Sequence, residues 1–591
     1  MSRLNEHLEM LTERLGAAGN ITPRNGFSRI EVQRASDAIH AVGIPAQLQQ
    51  WEAEDRQDTR GGGRPADFTM HHWCILMLLL CGEGSPLFVK LAAAIIDSRL
   101  GRNTRAHFGF NTRAGNNTYA SLRRAGERIH RILDATPTGD RRRRLSRDEW
   151  EQVVADRENN AAVLEQRRER LDWFTNAVLQ ASLLYLPEKY RTWDGSVTLD
   201  ATPVLAYGPD RSRRSSRVSI EPDAGWYVRS GKHKYDADRK SSGGNKKHFY
   251  GWELELALLL PRSPYGAAPC PALVGAISMH KPGVNSAGHA IEALTHLREF
   301  GLPAGYLVTD RLYAPGSKPE RFQDPARALG YDLVFDYRND QLGVMDSYNG
   351  ALLIEGNLYS PSIPPPLVNA TRDWRAGVID DDVYRARIAQ RLAYAFRAKA
   401  RPNEAGAVAY QCPAAGPNAT VACPRKPNPT ATEAALDAGR MLLPVRPVGG
   451  RETWDAPGMV CSAKNSTTVP ANFGSKFRQN LQYQGIGWRK LFAPARNEME
   501  GVNGSFKDLG HADPRRRRMR GFTAQYMLST FLIAGANVRR INSFLAEHEP
   551  VAASAELEDS DVLDELVNII RDVDPERLME PRPPPQASPT L

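Results

Sequence analysis

Three acidic residues lie in segments whose composition predicts regular secondary structure, and two of them follow apolar runs. Asp200 follows "SVTL", and Asp310 follows "GYLVT"; both runs are typical of short buried strands. Burying a carboxylate is costly unless something compensates its charge. A divalent cation is one compensation, because Mg²⁺ prefers oxygen ligands. A salt bridge or a strand end open to water is the other, and Asp194 in the turn-like "RTWDG" is a weaker candidate.

The third acid is Glu500 in "RNEMEGVNGSFKD", which predicts a helix with charges at regular offsets. Arg496 precedes Glu500 by four residues, so the two side chains share one helix face. Lys507 follows Glu500 by seven residues, or two turns, and lies near the same face. This stripe could place a metal-binding carboxylate between two phosphate-binding side chains. A solvated surface helix is the alternative explanation.

The segments around these acids predict a mixed α/β fold. Strand patterns and one amphipathic helix alternate in the order strands 196–206, 248–260 and 271–281, helix 288–301, then strands 305–314 and 331–337. A further helix is expected between the last two strands. The helix with Glu500 comes much later in the chain, after a stretch rich in Pro, Gly, Asn and Thr.

At 591 residues the chain is too long for one ordinary hydrophobic core. We predict five segments: a helical DNA-binding region 1–190, the first part of an α/β core 191–340, a β-rich insertion 341–487, the C-terminal core helices 488–546, and an acidic mobile tail 547–591.

Basic residues are unevenly distributed along a chain whose net charge is +9. Arginine runs occur at 141–144 and 515–518, and a basic loop extends over 211–247. Such clusters favour a polyanionic partner, because Lys and Arg displace counterions from phosphates. An Arg-rich solvated surface is the alternative.

The N-terminal region contains two apolar helical patterns within 68–100 and a basic helical pattern at 116–135 that carries Arg123 and Arg124. Helix, turn, helix and basic helix is an order that suits a reader of the DNA major groove. It is equally the pattern of a small helical bundle.

Several function classes are disfavoured. No apolar run reaches the roughly 20 residues that a membrane span needs, and "MSRLNEHLEM" is unlike a signal peptide, so we expect a cytoplasmic protein without membrane contact. Six cysteines do not indicate a disulfide framework. Cys412, Cys423 and Cys461 lack the short spacings of zinc sites, and buried thiols are the preferred interpretation. Nucleotide-binding and serine-hydrolase motifs are absent from the sequence.

The combination of features resembles the DDE transposases of bacterial insertion sequences. The order is strand with Asp, strand with Asp, β-rich insertion, and helix with R-x3-E-x6-K, as in the members that carry a Y-x2-R-x3-E-x6-K signature. The matching stretches are "VTLDATPV", "KKHFYGWEL", "GYLVTDRLY" and "PARNEMEGVNGSFKD", and the resemblance covers about 191–545. The signature tyrosine is missing, because its position holds Ala493 and the nearest aromatic residue is Phe492.

This resemblance implies an RNase H-like mixed-sheet core that is interrupted by the insertion. Asp200 on the first strand would bridge two Mg²⁺ or Mn²⁺ ions, with Asp310 on the fourth strand and Glu500 each completing one site. Two such ions about 4 Å apart activate a nucleophile and stabilise the leaving oxygen. Arg496 and Lys507 would contact DNA phosphates.

The implied activity is cutting and rejoining of DNA at the ends of the protein's own element. Double-stranded DNA would be the partner, bound by a homodimer associated with the bacterial nucleoid. Six further basic residues are predicted DNA contacts: Lys246, Lys247, Arg515, Arg516, Arg123 and Arg124. The alternatives are an inert DNA-binding remnant of a transposase and a metal-dependent endonuclease that does not join strands.

Overall fold

A computed structural model provides the fold of the chain. It describes residues 26–56, 66–83, 99–113, 116–138, 143–208, 216–228, 248–416, 418–423, 441–442, 465–509, 511, 513–517 and 519–549. Across these ranges, no helix combines the length and the apolar character that crossing a membrane requires. The chain divides into two compact units, one of Met1–Leu80, Pro86–Ile129 and Val538–Leu591, the other of Cys81–Ser85 and His130–Asn537.

The first unit is helical where it is described. Its helices are α1 Arg29–Ala41, α2 Ile44–Glu54, α3 Met70–Leu80, α4 Arg102–Phe108 and α5 Thr118–Leu133, the last of which crosses the unit boundary. Ser28 begins α1 with a capping box, in which its hydroxyl and the Glu31 carboxylate bond each other's backbone N–H groups. Eight of the eleven residues of α3 are buried, because its sequence is apolar on most sides.

The second unit is built on a six-stranded mixed sheet. Its strands are β1 Val197–Leu205, β2 Gly225–Val228, β3 His248–Leu259, β6 Leu273–His280, β7 Tyr306–Thr309 and β8 Asp332–Phe335. The order is β2-β3-β1-β7-β8, with β6 also paired to β3. β1, β3 and β6 pair antiparallel, whereas β7 and β8 run parallel to β1. The mixed α/β fold class is therefore confirmed. All five predicted strands are present, but the strand predicted over 305–314 ends at Thr309, so Asp310 follows it instead of lying on it.

Helices connect and cover this sheet. Helix α8 Ser286–Glu299 joins β6 to β7, and α9 Gln323–Ala328 joins β7 to β8, since parallel neighbours need such crossovers. The remaining helices outside the insertion are α6 Arg147–Asn159, α7 Ala161–Leu183, α13 Ile486–Asp508, α14 Pro514–Arg517 and α15 Phe522–His548. Helices α6 and α7, which the sequence placed in the N-terminal region, belong to the second unit.

One edge of β6 is covered by side-chain amides instead of another strand. Asn176 of α7 donates to the Ile277 carbonyl at 3.0 Å and accepts from the Ile277 N–H at 2.9 Å. Asn537 of α15 bonds Val274 in the same way, at 2.9 and 3.0 Å. An open edge would present unpaired N–H and C=O groups to other chains. The two asparagines therefore end the sheet without exposing it.

The segment between β8 and α13 contains both strands and helices. Its strands are β9 Val344–Tyr348, β10 Ala351–Ile354, β11 Asn357–Tyr359, β12 Arg397–Ala398, β13 Val408–Gln411, β14 Val421–Ala422, β15 Met441–Leu442 and β16 Ser466–Val469. Its helices, among the described residues, are α10 Pro365–Val368, α11 Ala370–Arg375 and α12 Asp381–Arg391. A short hairpin, β4 Arg262–Ser263 with β5 Gly266–Ala267, lies outside it. The fully buried Glu355 and Arg391 form an ion pair at its centre.

Candidate functional site

Strand pairing brings the two predicted aspartates together. β1 and β7 pair in parallel, with Val197 beside Leu307 and Thr198 beside Val308. Continuing this register places Asp200 beside Asp310, which directly follows β7. Both residues are half-buried. Two carboxylates more than 100 residues apart in the sequence thus lie at the same level of the sheet.

Helix α13 lies against this pair and contacts Asp200 with two side chains. Arg496 donates from its Nη1 to the Leu199 carbonyl at 3.1 Å, and its Nη2 lies 3.8 Å from Asp200 Oδ1. Asn503 Nδ2 donates to Asp200 Oδ2 at 3.3 Å. Arg496 and Asn503 are two turns apart on one face of α13, so each oxygen of Asp200 has its own neighbour from the helix.

The charges of the other two predicted acids act on Asp200. Burial raises the pKa of Asp200, the Arg496 charge opposes this rise, and repulsion from Asp310 and Glu500 adds to it. Glu500 is exposed on α13, whereas the Asp310 carboxylate accepts from the Leu312 N–H at 2.8 Å. Unfavourable charge of this kind is what a bound cation relieves.

The three acids do not by themselves enclose a site for an ion. Within the described part of the chain, no group of three or more His, Cys, Asp or Glu side chains is placed to hold a metal ion together. One further oxygen is nevertheless close by. Asn503 Oδ1 is buried and has no hydrogen-bond partner among the described residues, although its amide group contacts Asp200. An unsatisfied buried acceptor costs free energy, so a water, a donor or a cation beside it would be stabilised.

The loop after Asp310 is anchored beneath the sheet by a buried polar chain. Tyr313 is 1% exposed and donates its hydroxyl to Glu255, which is fully buried in β3. Glu255 Oε1 lies 2.8 Å from His280 Nε2, and His280 Nδ1 lies 2.9 Å from the Lys281 carbonyl. That carbonyl can only accept, so Nδ1 of His280 carries a hydrogen.

Burial and the neighbouring Glu255 shift the pKa values of Tyr313 and His280. Burial raises the pKa of Tyr313, and the charge of Glu255 adds to the rise, so the hydroxyl remains protonated and able to donate. Burial lowers the pKa of His280, but the hydrogen bond and charge of Glu255 outweigh it, and the net direction is upward. A charged imidazole beside a carboxylate is the state that these contacts favour.

Several predicted DNA contacts can be placed only in part. Arg515 is exposed in α14, and the backbone of Arg516 lies in the same helix. Lys507 belongs to α13, but its side chain, like that of Arg516, lies outside the described residues. Lys246 and Lys247 also lie outside them. Their contacts with DNA stay predictions.

The two predicted arginines of the first unit are exposed on α5. Arg123 lies 3.2 Å from Glu127 on the same helix, and Arg124 donates to Ser121 Oγ at 3.0 Å. A neighbouring arginine, Arg128, forms two hydrogen bonds with the Glu52 carboxylate. The exposed contacts of Arg123 and Arg124 are weak. Arg123 and Arg124 could therefore exchange these partners for phosphates.

The weaker candidates of the sequence have simple structural roles or stay undetermined. Asp194 is exposed and accepts from the Ser196 N–H at 2.8 Å, which explains it as a turn residue. Cys412 is buried and Cys423 half-buried, while Cys461 lies outside the described residues.

Sequence reasoning missed Asn503 and the buried chain under Asp310. Asn503 follows Arg496 by seven residues, so it belongs to the same stripe of α13 and could have been found from that spacing. Glu255 stands in the otherwise apolar "WELELALL" of β3, which is a signal for a partnered buried acid. Nothing in the local sequence connects it to Tyr313 or His280.

Comparisons with known proteins leave the family open. None of the family models, curated proteins or solved structures compared with the chain matched it. The likeness to DDE transposases therefore remains an expectation from the sequence motifs.

Proposed function

We propose that this protein is a metal-dependent DNA transposase that cuts and rejoins DNA through Asp200, Asp310 and Glu500. The observation that carries the proposal is the juxtaposition of Asp200 and Asp310 on adjacent parallel strands, with α13 across them. The sequence motifs by themselves do not place Asp200 next to Asp310. Glu500 lies on the same helix as Arg496, and its charge, like that of Asp310, adds to the rise in the pKa of Asp200.

The sheet topology supports an RNase H-like core. Taking β1, β3, β6, β7 and β8 as five strands, Asp200 lies on the first and Asp310 directly after the fourth. The helix with Glu500 follows the intervening segment after β8, in the order that the resemblance implies. In such a core, the sheet would hold Asp200 and Asp310, and α13 would bring Glu500 to them.

The residues present fit one or two Mg²⁺ or Mn²⁺ ions. Mg²⁺ is usually held by one or two carboxylates and completes its shell with waters and substrate phosphates, so a closed group of three protein ligands is not required. Asp200 and Asp310 would hold the metal on the sheet side, and Glu500 would approach from α13. The orphaned Oδ1 of Asn503 is a further hard donor beside Asp200. When bound, the ions would activate the attacking oxygen and stabilise the leaving one.

Arg496 has a defined part in this mechanism. Its guanidinium group lies beside Asp200 and is fixed by the Leu199 carbonyl. Arginine carries five N–H donors in a rigid fork, which suits both a carboxylate and a phosphate. Arg496 would therefore hold the carboxylate in the free protein and present its other donors to the scissile phosphate. Lys507 and the basic residues of α14 would contact the flanking DNA backbone, in a homodimer that joins two ends.

The decisive experiment incubates purified protein with labelled DNA that carries the sequences flanking its own gene. Reactions contain Mg²⁺ or EDTA and use wild type, Asp200→Asn and Glu500→Gln. We expect cutting that requires Mg²⁺ and that falls by at least 100-fold in both variants, since each removes a metal ligand. Joined products would identify transposition.

The matched control is Glu498→Gln, which removes an acid of the same helix whose carboxylate lies 3.7 Å from the Arg262 guanidinium. Its cutting rate should equal that of wild type. Cutting without joining would identify the endonuclease, and binding without cutting the inert remnant. Full activity in Glu500→Gln would remove Glu500 from the site.

A further inference from the structure

A third aspartate stands in the same row as the two candidate ligands. β7 and β8 pair in parallel with Thr309 beside Phe335, so the next residues, Asp310 and Asp336, lie side by side. Asp200 within β1, Asp310 directly after β7 and Asp336 directly after β8 thus follow one another across three adjacent strands. Position alone would make Asp336 a candidate metal ligand.

The contacts of Asp336 assign it a different role. Its Oδ2 accepts from Arg311 Nε at 3.0 Å, and its Oδ1 accepts from Arg375 Nη2 at 3.0 Å. Oδ1 also accepts from the Tyr483 hydroxyl and from the Tyr337 N–H. Two guanidinium groups already compensate this carboxylate, and both of its oxygens are in use. A metal ion would have to displace these donors.

The partners of Asp336 connect two parts of the chain. Arg311 is the residue after Asp310, and its side chain is 49% exposed. Arg375 ends α11, and the buried Tyr483 precedes α13; both belong to the segment between β8 and α13 that the sequence identified as an insertion. Asp336 therefore bridges the loop that carries Asp310 to the insertion.

Arg375 is itself held by several groups, which makes it a firm support. Its Nη1 donates to the Tyr337 carbonyl at 3.1 Å and to Asn339 Oδ1 at 2.6 Å. Its Nη2 donates to the Tyr483 hydroxyl at 2.8 Å in addition to Asp336. Planar guanidinium groups with several fixed acceptors lose little further freedom, so they orient a carboxylate well.

We propose that the insertion positions the loop that carries Asp310. Arg375 and Tyr483 of the insertion act on this loop through Asp336 and Arg311, and they are therefore positioning residues for Asp310. The loop has one anchor beneath the sheet at Tyr313, and this bridge supplies a second one beside Asp310. The catalytic meaning of the bridge rests on the proposed function, whereas its effect on the loop does not. A ligand carboxylate that moves by about 1 Å can cost on the order of 100-fold in rate.

The first test measures the loop itself by hydrogen–deuterium exchange in the full-length protein, with peptides that cover 310–317. Arg375→Met should increase exchange in these peptides, because Asp336 loses one of its two cations. Arg387→Met is the matched control, since Arg387 pairs with Asp373 at 2.9 Å in the same insertion but does not contact Asp336. It should leave the 310–317 peptides unchanged.

A second variant covers the case in which Arg375→Met fails to fold. Arg311→Met removes a half-exposed side chain, so it should fold normally and still release the loop from Asp336. Unchanged exchange in 310–317 for both Arg375→Met and Arg311→Met would overturn the proposal.

The second test uses DNA cutting to separate positioning from binding. Arg375→Met should lower kcat by about 10- to 100-fold and leave KM for DNA near the wild-type value, since positioning residues act on the reacting groups. Arg375→Lys should recover only part of the rate, because lysine cannot reproduce the planar fork. An equal kcat in wild type and Arg375→Met would contradict the inference. If the wild type does not cut DNA at all, the proposed function fails, and the exchange experiment still decides whether the bridge holds the loop.

Discussion

Tyr313→Phe should destabilise the second unit by about 2 kcal/mol, through the loss of one buried hydrogen bond. Tyr313 is 1% exposed, and its hydroxyl donates to Glu255, whose side chain is fully buried in β3. Phenylalanine fills the same space, so packing stays intact and only the hydroxyl is removed. The substitution therefore isolates a single polar contact under the Asp310 loop.

The magnitude follows from what Glu255 retains. In Tyr313→Phe, its carboxylate keeps His280 at 2.8 Å and loses its donor on the other side. Hydrogen bonds to charged groups contribute about 1.5–3 kcal/mol, and a buried oxygen left without its donor lies in this range. In the wild type, Tyr313 stays protonated near neutral pH, because burial and Glu255 raise its pKa. Its hydrogen bond to Glu255 is therefore present before the substitution and is lost completely on it.

The assay is urea unfolding of full-length protein, with the transition of the second unit followed by tryptophan fluorescence. Tyr265→Phe is the matched control, since Tyr265 is 85% exposed and its hydroxyl contacts only the Tyr306 hydroxyl, at 3.3 Å, among the described residues. It should change stability by less than about 0.5 kcal/mol. A loss below this value in Tyr313→Phe as well would refute the reasoning, because Glu255 would then not depend on the tyrosine.

Three further changes test other buried or half-buried charges. Arg391→Met should cost about 3–5 kcal/mol in urea unfolding, because it strands the fully buried Glu355, and adding Glu355→Leu should restore most of the loss. The pKa of His280 is raised despite its burial, so its contribution to stability is full below the unfolded value of about 6.5 and is lost as pH rises through the folded pKa. His280→Asn should remove this decline above about pH 6.5, as measured by unfolding at each pH. The pKa of Asp200 is also raised, so its ionised carboxylate destabilises the fold. Asp200→Asn should therefore raise the melting temperature at pH 7 in EDTA, and a lower melting temperature would show that Arg496 outweighs burial.

Local patterns in the sequence determined the elements that carry the candidate site. The apolar runs before Asp200 and Asp310 predicted β1 and β7, and the spacing of Arg496 and Glu500 predicted one face of α13. Such features depend on residues within one or two turns of each other, or on alternate positions of a strand. They are therefore readable from neighbouring letters.

The tertiary structure alone decided which side chains meet. The register of β1 against β7 sets Asp200 beside Asp310, and the path of α13 brings Arg496 and Asn503 to the same carboxylate. The sequence predicts a phosphate contact for Arg496, whereas the structure places its guanidinium beside Asp200.

The tertiary structure also decides the partners of carboxylates that resemble one another in the sequence. Asp310 and Asp336 each follow a short apolar strand, yet Asp336 is compensated by Arg311 and by Arg375 of the insertion. Glu255 in its apolar strand is matched by Tyr313 and His280. The partner of a buried charge is set by how distant segments pack. Coulomb and hydrogen-bond energies depend on the separation of the groups in space and on their burial. Neighbouring residues in the sequence determine neither the separation nor the burial.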